Sequence, residues 1–252
     1  MTQLRRFHID TLRRFQSLPP RTACCIVYSL VGALPIEAEI HKKHLSLLYN
    51  ILTSDNSTIL DLLRRQTVLQ SNNLDSYFGR ILEILHVYNL PDINEILQLY
   101  PTKLDFKNCC KLAIEERWTK NLQLEISTKS TLKYVNVGSV KIGKPHVCWK
   151  SLKSTVSDVK KGITKVRMLT GTFITESLRQ KFNINHANAT CLLCGVDNED
   201  LKHIIMRCSV LFTIRKRYFE RIQEEVGKSK YMELFNTQDS VLQLVYRLLS
   251  LQ

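Results

Sequence analysis

Residues 191–208 constrain this chain more than any other part of its sequence. The stretch reads C-x2-C-x8-H-x4-C and contains Cys191, Cys194, His203 and Cys208. Three thiols and one imidazole match the number and the types of ligand that a tetrahedral zinc ion takes in proteins. Because four protein ligands leave no coordination position for water, this stretch, which we call the knuckle, predicts a structural rather than a catalytic Zn2+.

The sequence between the ligands also suits a compact metal site. Gly195 directly follows the second cysteine, where a tight turn often requires a positive φ. The polar run 197–200 offers helix-capping side chains, and residues 201–207 are predicted to be helical. On a regular helix, His203 and Cys208 would point roughly 140° apart. We therefore expect Cys208 at or just past the end of this helix.

An alternative interpretation is that the knuckle holds unrelated buried thiols and a surface histidine, since free cysteine often packs as a small hydrophobic residue. We interpret the adjacent pairs Cys24–Cys25 and Cys109–Cys110 as core or surface thiols rather than metal ligands, because neighbours on a helix point about 100° apart. The spacing of four ligands favours zinc in the knuckle.

Composition and periodicity predict a mainly α protein. Hydrophobic residues make up 44% of the 252 residues, and the eight glycines are few for a β-sandwich. The expected regions are a helical bundle over 1–135, a basic connecting segment over 136–190, the knuckle, and C-terminal helices over 209–252. The predicted helices are 1–17, 22–34, 36–52, 54–70, 73–88, 92–100, 105–129, 210–226 and 239–251. The expected buried side of helix 105–129 is Cys109, Leu112, Ala113, Trp118, Leu122 and Ile126.

The chain is strongly basic, with a net charge of +13 and an isoelectric point near 9.4. This balance favours a polyanionic partner, nucleic acid before an acidic membrane. Residues 139–190 carry ten lysines and arginines against two acidic residues, with Trp149, Phe173 and Phe182 among them. Such a mixture suits contact with phosphates and bases, whereas a solvated charged face is the alternative. The predicted RNA or DNA contacts are Lys141, Lys144, Lys150, Lys153, Lys160, Lys161, Lys165, Arg167, Arg215, Lys216, Arg217 and Arg221.

The cysteines and the first residues predict an intracellular protein, nuclear or cytoplasmic and not secreted. Eight cysteines in a long chain do not resemble a secreted disulfide framework, and the sequence opens without an apolar signal segment. The longest uncharged run, 22–36, is shorter than the roughly 20 apolar residues that span a membrane. We expect this run in the core and expect no membrane partner.

The sequence lacks the common motifs of catalysis. It has no adjacent aspartates, and therefore no Tyr/Phe-x-Asp-Asp turn of a reverse-transcriptase palm. The G-x-x-x-x-G-K-[S/T] phosphate loop, the G-x-S-x-G elbow and the H-E-x-x-H motif are absent as well. Behind the knuckle, no Pro-Asp followed by lysine suggests a restriction-type nuclease. We therefore expect a chain that is not an enzyme and has no catalytic residues.

Three blocks of sequence belong together. The first, 18–48, runs from Leu-Pro-Pro-Arg-Thr-Ala-Cys-Cys to His-Lys-Lys-His-Leu-Ser-Leu-Leu; the second, 159–173, reads Val-Lys-Lys-Gly-Ile-Thr-Lys-Val-Arg-Met-Leu-Thr-Gly-Thr-Phe. The third is the knuckle, with Glu199 and Asp200 just before Leu-Lys-His203. In this order the blocks resemble the C-terminal region of the polyprotein of non-LTR (LINE-type) retrotransposons. The knuckle is the most specific part, and the resemblance spans roughly residues 4–221.

This resemblance implies a function. In such elements the region follows the polymerase palm, supplies thumb-like helices and ends in a reverse-transcriptase zinc-binding domain that holds RNA or DNA near the polymerase. By position, its zinc ligands are Cys191, Cys194, His203 and Cys208. Because the palm and the endonuclease of the complete protein are missing from this sequence, we expect a non-catalytic, nucleic-acid-binding fragment.

Two other functions fit the sequence. The first is a zinc-stabilised interaction scaffold, in which the apolar stripe Val241–Leu249 docks a protein partner or a second copy. The second is an inert pseudogene product that folds only partly.

Overall fold

In a computed structural model of the chain, the described residues are 2–70, 73, 75–133, 135–185 and 188–234. They form helices joined by turns and by longer loops, so the prediction of a mainly α protein is confirmed. Across these ranges the only β pairing is an isolated antiparallel bridge between Thr190 and Asn198. The helices are α1 (Thr2–Phe15), α2 (Cys24–Val31), α3 (Ile36–Leu52), α4 (Ser57–Gln70), α5 (Tyr77–Val87), α6 (Ile93–Leu99), α7 (Lys103–Ser127), α8 (Val147–Lys150), α9 (Val156–Leu169), α10 (Glu176–Lys181), α11 (Phe212–Val226) and α12 (Lys228–Leu234).

Helix boundaries follow local capping chemistry. Helix α3 has the predicted bounds, whereas α2 ends earlier than predicted because Gly32 adopts a left-handed φ of 64° that closes it. Helix α6 begins with a capping box, in which the side chains of Asp92 and Glu95 each accept the other's backbone N–H. The helix predicted over 239–251 lies outside the described residues.

The chain divides into two compact units. Unit 1 comprises 1–15, 23–125 and 138–146, and unit 2 comprises 16–22, 126–137 and 147–252. Unit 1 therefore holds α1 to α6 and nearly all of α7, whereas unit 2 holds α8 to α12 and the knuckle. The basic segment predicted over 136–190 contributes to both units.

The core of unit 1 is apolar and forms around α3. Leu45 and Leu48 of this helix are 1% and 0% exposed, and α1, α4 and α5 pack against it. Helices α2, α5 and α7 add Ile26, Ile81 and Ile114, none of which is exposed to solvent. Since each fully buried aliphatic side chain contributes about 1.5–3 kcal/mol, unit 1 is stabilised by its own hydrophobic core.

The buried side of helix α7 agrees with the predicted one in the second half of the helix and differs from it in the first half. Cys109 and Leu112, which we expected inside, are exposed, whereas Leu122 and Ile126 are buried as expected. Every fourth position forms one continuous ridge of the helix. The buried ridge of α7 consists of Phe106, Cys110, Ile114, half-buried Trp118, Leu122 and Ile126.

The segment 138–146 closes onto the end of α2 within unit 1. Gly143 donates its N–H to the carbonyl of Gly32 at 2.8 Å, and His146 donates to Leu30 at 2.8 Å. A Cβ atom on Gly32 would lie 2.5 Å from the carbonyl oxygen of Lys144, so only glycine fits there. Lys141 and Lys144 are therefore carried on a backbone that is fixed to unit 1.

Within unit 2, residues 16–22 form hydrogen bonds with helices α8 and α9. The Arg167 guanidinium donates from Nε and Nη2 to the carbonyl of Ser17, at 3.0 and 2.6 Å. Trp149 of α8 donates its indole N–H to Gln16 Oε1 at 3.2 Å. These hydrogen bonds join residues that are 133 and 150 positions apart in the sequence, and they hold residues 16–22 in unit 2.

A helix that crosses a membrane needs roughly 20 predominantly apolar residues. Among the described residues, no single helix is long and apolar enough to cross a membrane. Helices α2 and α3 reach that length and composition only as a pair, with a bend of 60° between them.

Candidate metal centre

The first two ligands of the knuckle lie on a tight hairpin. The pairing of Thr190 with Asn198 brings its two sides together, and Cys191 donates its N–H to the carbonyl of Asp197 at 2.8 Å. Gly195 donates back to the Cys191 carbonyl at 2.8 Å and has a φ of 68°. The prediction of a positive φ at Gly195 is confirmed, and this turn directs both thiols to the same side.

The other two ligands lie on a widened helical turn. Asp200 Oδ1 accepts the His203 N–H at 2.6 Å, which confirms the predicted capping role of the polar run. Cys208 donates its N–H to the His203 carbonyl at 2.8 Å, a bond between residues i and i+5 that defines a π turn. Cys208 ends this turn, as predicted. The wider π turn reduces the angle between His203 and Cys208 that a regular helix would impose.

The four side chains converge on one point. Their ligand atoms all lie within 4.8 Å of one another, and His203 Nε2 lies 3.4 Å from Cys194 Sγ. Tetrahedral zinc places its sulfur and nitrogen ligands roughly 3.5–3.8 Å apart, given its usual bond lengths. Cys191, Cys208 and His203 are buried, at 1%, 0% and 4% exposure. The four residues therefore fit one metal ion after small side-chain rotations.

The hairpin backbone favours the thiolate form of one ligand. The N–H groups of Val196 and Asp197 hydrogen-bond to the Cys194 sulfur and lower the pKa of its thiol to about 7. Burial raises the pKa of Cys191, although the N–H groups of Cys194 and Leu193 act in the opposite direction. Because zinc binds thiolates, Cys194 is prepared for metal at neutral pH, and Cys191 would lose its proton when the ion binds.

Two residues near the cluster were not predicted to have a role at the metal. Asp197 Oδ2 lies 3.6 Å from Nδ1 of His203, the ring nitrogen that faces away from Cys194. Arg215 of α11 donates from Nη1 to the carbonyl of Met206 and from Nη2 to that of Cys208. The two members of each pair lie on different structural elements, so the periodicity of a single helix or strand does not relate them and the sequence offers no signal for either pair.

The predicted nucleic-acid contacts fall into distinct groups. Arg167 and Arg215 are half-buried and donate to backbone carbonyls. Lys161, Lys216 and Arg221 form ion pairs with carboxylates on their own helices, at 3.4, 3.8 and 3.6 Å. Those five cations are engaged within the protein in this structure.

The remaining predicted contacts are mainly exposed. Lys150, Lys153 and Lys160 of unit 2 are exposed and form no ion pair among the described residues, and Arg217 is exposed on α11. Lys165 is half-buried on α9. Lys141 and Lys144 are exposed in unit 1. Three of these exposed cations, Lys150, Lys153 and Lys160, lie close together in sequence in and around α8 and α9.

Comparisons of the chain with protein-family models, with curated proteins and with solved structures return no match. The function is therefore inferred from the chain's own residues.

Proposed function

We propose that the chain is a nucleic-acid-binding module with a structural zinc site, related to the region that follows the palm in non-LTR retrotransposon reverse transcriptases. The observation that carries the proposal is the convergence of Cys191, Cys194, His203 and Cys208, in the same unit as helices with exposed lysines. The proposed module has no catalytic step of its own, since the sequence contains no motif that would supply one.

Zinc is the metal that the ligands favour. Three thiolates with one imidazole are soft to borderline donors, and they select zinc over the oxygen-preferring magnesium and calcium ions. Four ligands at one point leave no open coordination position, which is typical of a structural ion. Thiols must remain reduced to bind it, so the proposal also assigns the chain to a reducing intracellular compartment, nucleus or cytoplasm.

The charge of unit 2 supports a phosphate-rich partner. Lys150 ends α8, Lys153 lies in the connection to α9, and Lys160 lies on α9 itself. The connection packs closely on α9, because a Cβ atom on Gly162 would lie 2.5 Å from Leu152 Cδ1. The three lysines are therefore carried by α8, α9 and the connection that packs on α9, and their clustering suits contact with a phosphate backbone.

Salt dependence tests the nucleic-acid proposal. Affinity for labelled single-stranded RNA, single-stranded DNA and duplex DNA would be measured by anisotropy between about 50 and 200 mM salt. We expect a steep fall in affinity, because bound lysines release counterions from the phosphates. In the triple variant Lys150→Gln, Lys153→Gln, Lys160→Gln, the logarithmic salt slope should decrease by about 3, roughly one per lysine.

A matched control removes three other positive charges from unit 2. The variant Lys161→Gln, Lys216→Gln, Arg221→Gln replaces three cations that pair with carboxylates. Its salt slope should remain closer to that of the unchanged protein. Equal slopes for the two triple variants would reject the assigned contacts, and a flat salt response of the unchanged protein would reject nucleic-acid binding altogether.

The family relationship has an independent test. An in-frame Tyr/Phe-x-Asp-Asp block in the nucleotide sequence upstream of this chain would identify it as part of a reverse transcriptase. An upstream sequence with no polymerase-like block would oppose that origin without affecting the binding proposal.

Exposed apolar residues favour a second candidate, an interaction scaffold. Leu192 and Val196 of the knuckle are each 78% exposed, and Phe212 and Tyr218 of α11 are each 61% exposed. A contiguous exposed apolar patch is typical of a protein-binding surface, and the scaffold function requires these side chains to form one. Light scattering at two protein concentrations discriminates between the two candidate functions. Stable oligomers without RNA or DNA binding would favour the scaffold.

A further inference from the structure

We propose that the metal centre has two positioning residues beyond its four ligands. Asp197 fixes the ring of His203, and Arg215 fixes the turn that carries Cys208. This inference rests on the zinc site of the proposed function and adds the residues that set its affinity.

The surroundings of the His203 ring point to Asp197. His203 is 4% exposed; its Nε2 faces the Cys194 sulfur at 3.4 Å, and its Nδ1 lies 3.6 Å from Asp197 Oδ2. Within the described part of the chain, Nδ1 is buried and has no hydrogen-bond partner. The Asp197 carboxylate is the group nearest to satisfying it.

The backbone and side chain of Asp197 suit this role in different ways. Its carbonyl accepts the Cys191 N–H at 2.8 Å, which fixes its backbone in the hairpin. Its side chain is 64% exposed, so it can rotate to shorten the 3.6 Å separation from His203 Nδ1. When Nε2 binds a metal, Nδ1 must carry the ring proton, and a carboxylate acceptor holds the imidazole in that tautomer and orientation.

Arg215 acts on the other side of the cluster. The last carbonyls of a helical turn have no partner within the turn, and those of Met206 and Cys208 both accept from the Arg215 guanidinium. The Cys208 carbonyl also accepts the Leu211 N–H at 3.2 Å. A planar guanidinium can donate to two acceptors in fixed geometry, which a lysine ammonium cannot reproduce. Arg215 therefore links helix α11 to the backbone of a metal ligand.

Charge supports the same assignment. Three thiolates, one neutral imidazole and one Zn2+ carry a net charge of −1. The Arg215 guanidinium, bonded to the backbone of Cys208, places a compensating positive charge at the edge of this centre. The positioning role of Arg215 also explains why its guanidinium binds backbone carbonyls rather than facing solvent. Arg215 is therefore removed from the proposed nucleic-acid contacts.

Metal affinity tests both residues in the full chain. The Kd for Zn2+ would be measured by competition with a chromophoric chelator for the unchanged protein and for Asp197→Ala, Asp197→Asn, Arg215→Met and Arg215→Lys. We expect Asp197→Ala and Arg215→Met to raise Kd by about 10–100-fold. Asp197→Asn retains an acceptor and Arg215→Lys retains a charge, so each should recover part of the loss. The matched controls Glu220→Ala on α11 and Arg64→Met on α4, both at exposed positions, should stay within about twofold of the unchanged protein.

A spectroscopic readout separates positioning from a general loss of structure. In the zinc-loaded protein, 15N spectra of the His203 ring should show a metal bound at Nε2 and a slowly exchanging proton at Nδ1. In Asp197→Ala the Nδ1 proton should exchange faster while the amide signals of unit 1 are unchanged.

The outcomes distinguish the two proposals. Zinc binding by the unchanged protein with unaltered Kd in Asp197→Ala and Arg215→Met would overturn this inference and leave the zinc site intact. Absence of zinc binding by the unchanged protein would overturn the zinc site itself.

Discussion

The two regions of this molecule are stabilised by different means. Unit 1 surrounds α3 with aliphatic side chains such as Ile26 and Ile81, which have no exposed surface. The knuckle and α11 contain little of this kind: α11 has no buried residue, and the buried positions of the knuckle are its ligands Cys191, His203 and Cys208. Below about 40 residues, a segment seldom buries enough apolar surface to fold unaided, and metals commonly supply the difference.

We expect the metal to stabilise the knuckle and α11 but not unit 1. A structural zinc ion contributes roughly 10–16 kcal/mol to the folding of small metal-binding domains, more than the few apolar contacts of the knuckle provide. We infer that zinc orders the knuckle and α11, whereas unit 1 folds on its own core. Four predictions test this difference.

The largest effect is expected for Cys194→Ser. Replacing this thiol removes one of the four proposed metal ligands, and it is the thiol whose pKa is lowered to about 7. We expect residues 185–225 to lose their fold, with an accompanying loss of nucleic-acid affinity, while unit 1 keeps its stability. Amide spectra and anisotropy binding on the same sample would measure both. Lost affinity with an intact fold of 185–225 would show that the knuckle itself contacts the nucleic acid.

Two glycines with similar φ values give the next comparison. Gly32→Ala in unit 1 adds a Cβ atom 2.5 Å from the Lys144 carbonyl, whereas Gly195→Ala in the knuckle meets nothing within 4 Å. Both alanines carry the cost of a left-handed conformation, about 1–2 kcal/mol. Only the first adds a backbone clash, so its total destabilisation should reach about 3 kcal/mol or more.

Urea unfolding of unit 1 and the zinc Kd, measured for both variants, check this pair. Gly32→Ala should lower the unfolding midpoint of unit 1 and leave the Kd unchanged. Equal destabilisation of unit 1 by both substitutions would mean that the two regions do not fold independently.

Acid provides a smaller test, confined to unit 1. Burial, followed by the nearby His44, lowers the pKa of His41 below its ordinary 6.5. Tyr88 Oη accepts the indole N–H of Trp118 at 3.0 Å and lies 2.8 Å from His41 Nδ1, where a neutral His41 can accept the Tyr88 hydroxyl proton. A protonated His41 could not accept it.

The lowered pKa of His41 determines the direction in which the stability of unit 1 changes with pH. Below pH 6.5 the unfolded chain binds a proton that folded His41 resists, so stability is full above 6.5 and falls as the pH drops further. The slope per such proton is at most about 1.4 kcal/mol per pH unit. His41→Gln should reduce this slope, and His86→Gln, at an exposed position, should not. Trp118 fluorescence in a Trp149→Phe background measures unit 1 alone, and equal slopes would reject the role of His41.

The sequence predicted those features that depend on local spacing. The ligand set, the positive φ of Gly195 and the position of Cys208 follow from residues that are close in the chain. The bounds of α3 follow from a break at Pro35 and a regular apolar period. Helix α7 was harder to interpret, because apolar residues occur on several of its sides and the packing of the rest of unit 1 selects which ridge is buried.

Features that depend on distant residues could not be predicted. Arg167 was expected to contact phosphate, yet in the fold it binds the carbonyl of Ser17, 150 residues away. Arg215 likewise binds carbonyls that only the π turn brings within reach. In sequence, a basic residue that faces solvent cannot be distinguished from one that binds a backbone carbonyl. Only the folded structure shows which of the two it does.

Hydrogen exchange with and without a zinc chelator tests the central claim most directly. The zinc-loaded chain would be exchanged before and after chelation, and protection compared between α3 and residues 188–226. We predict that chelation removes protection from 188–226, including the Cys208 amide that closes the π turn, and leaves α3 unchanged. Equal loss of protection in both regions, or no loss in either, would contradict the separate stabilisation of unit 1 and the knuckle.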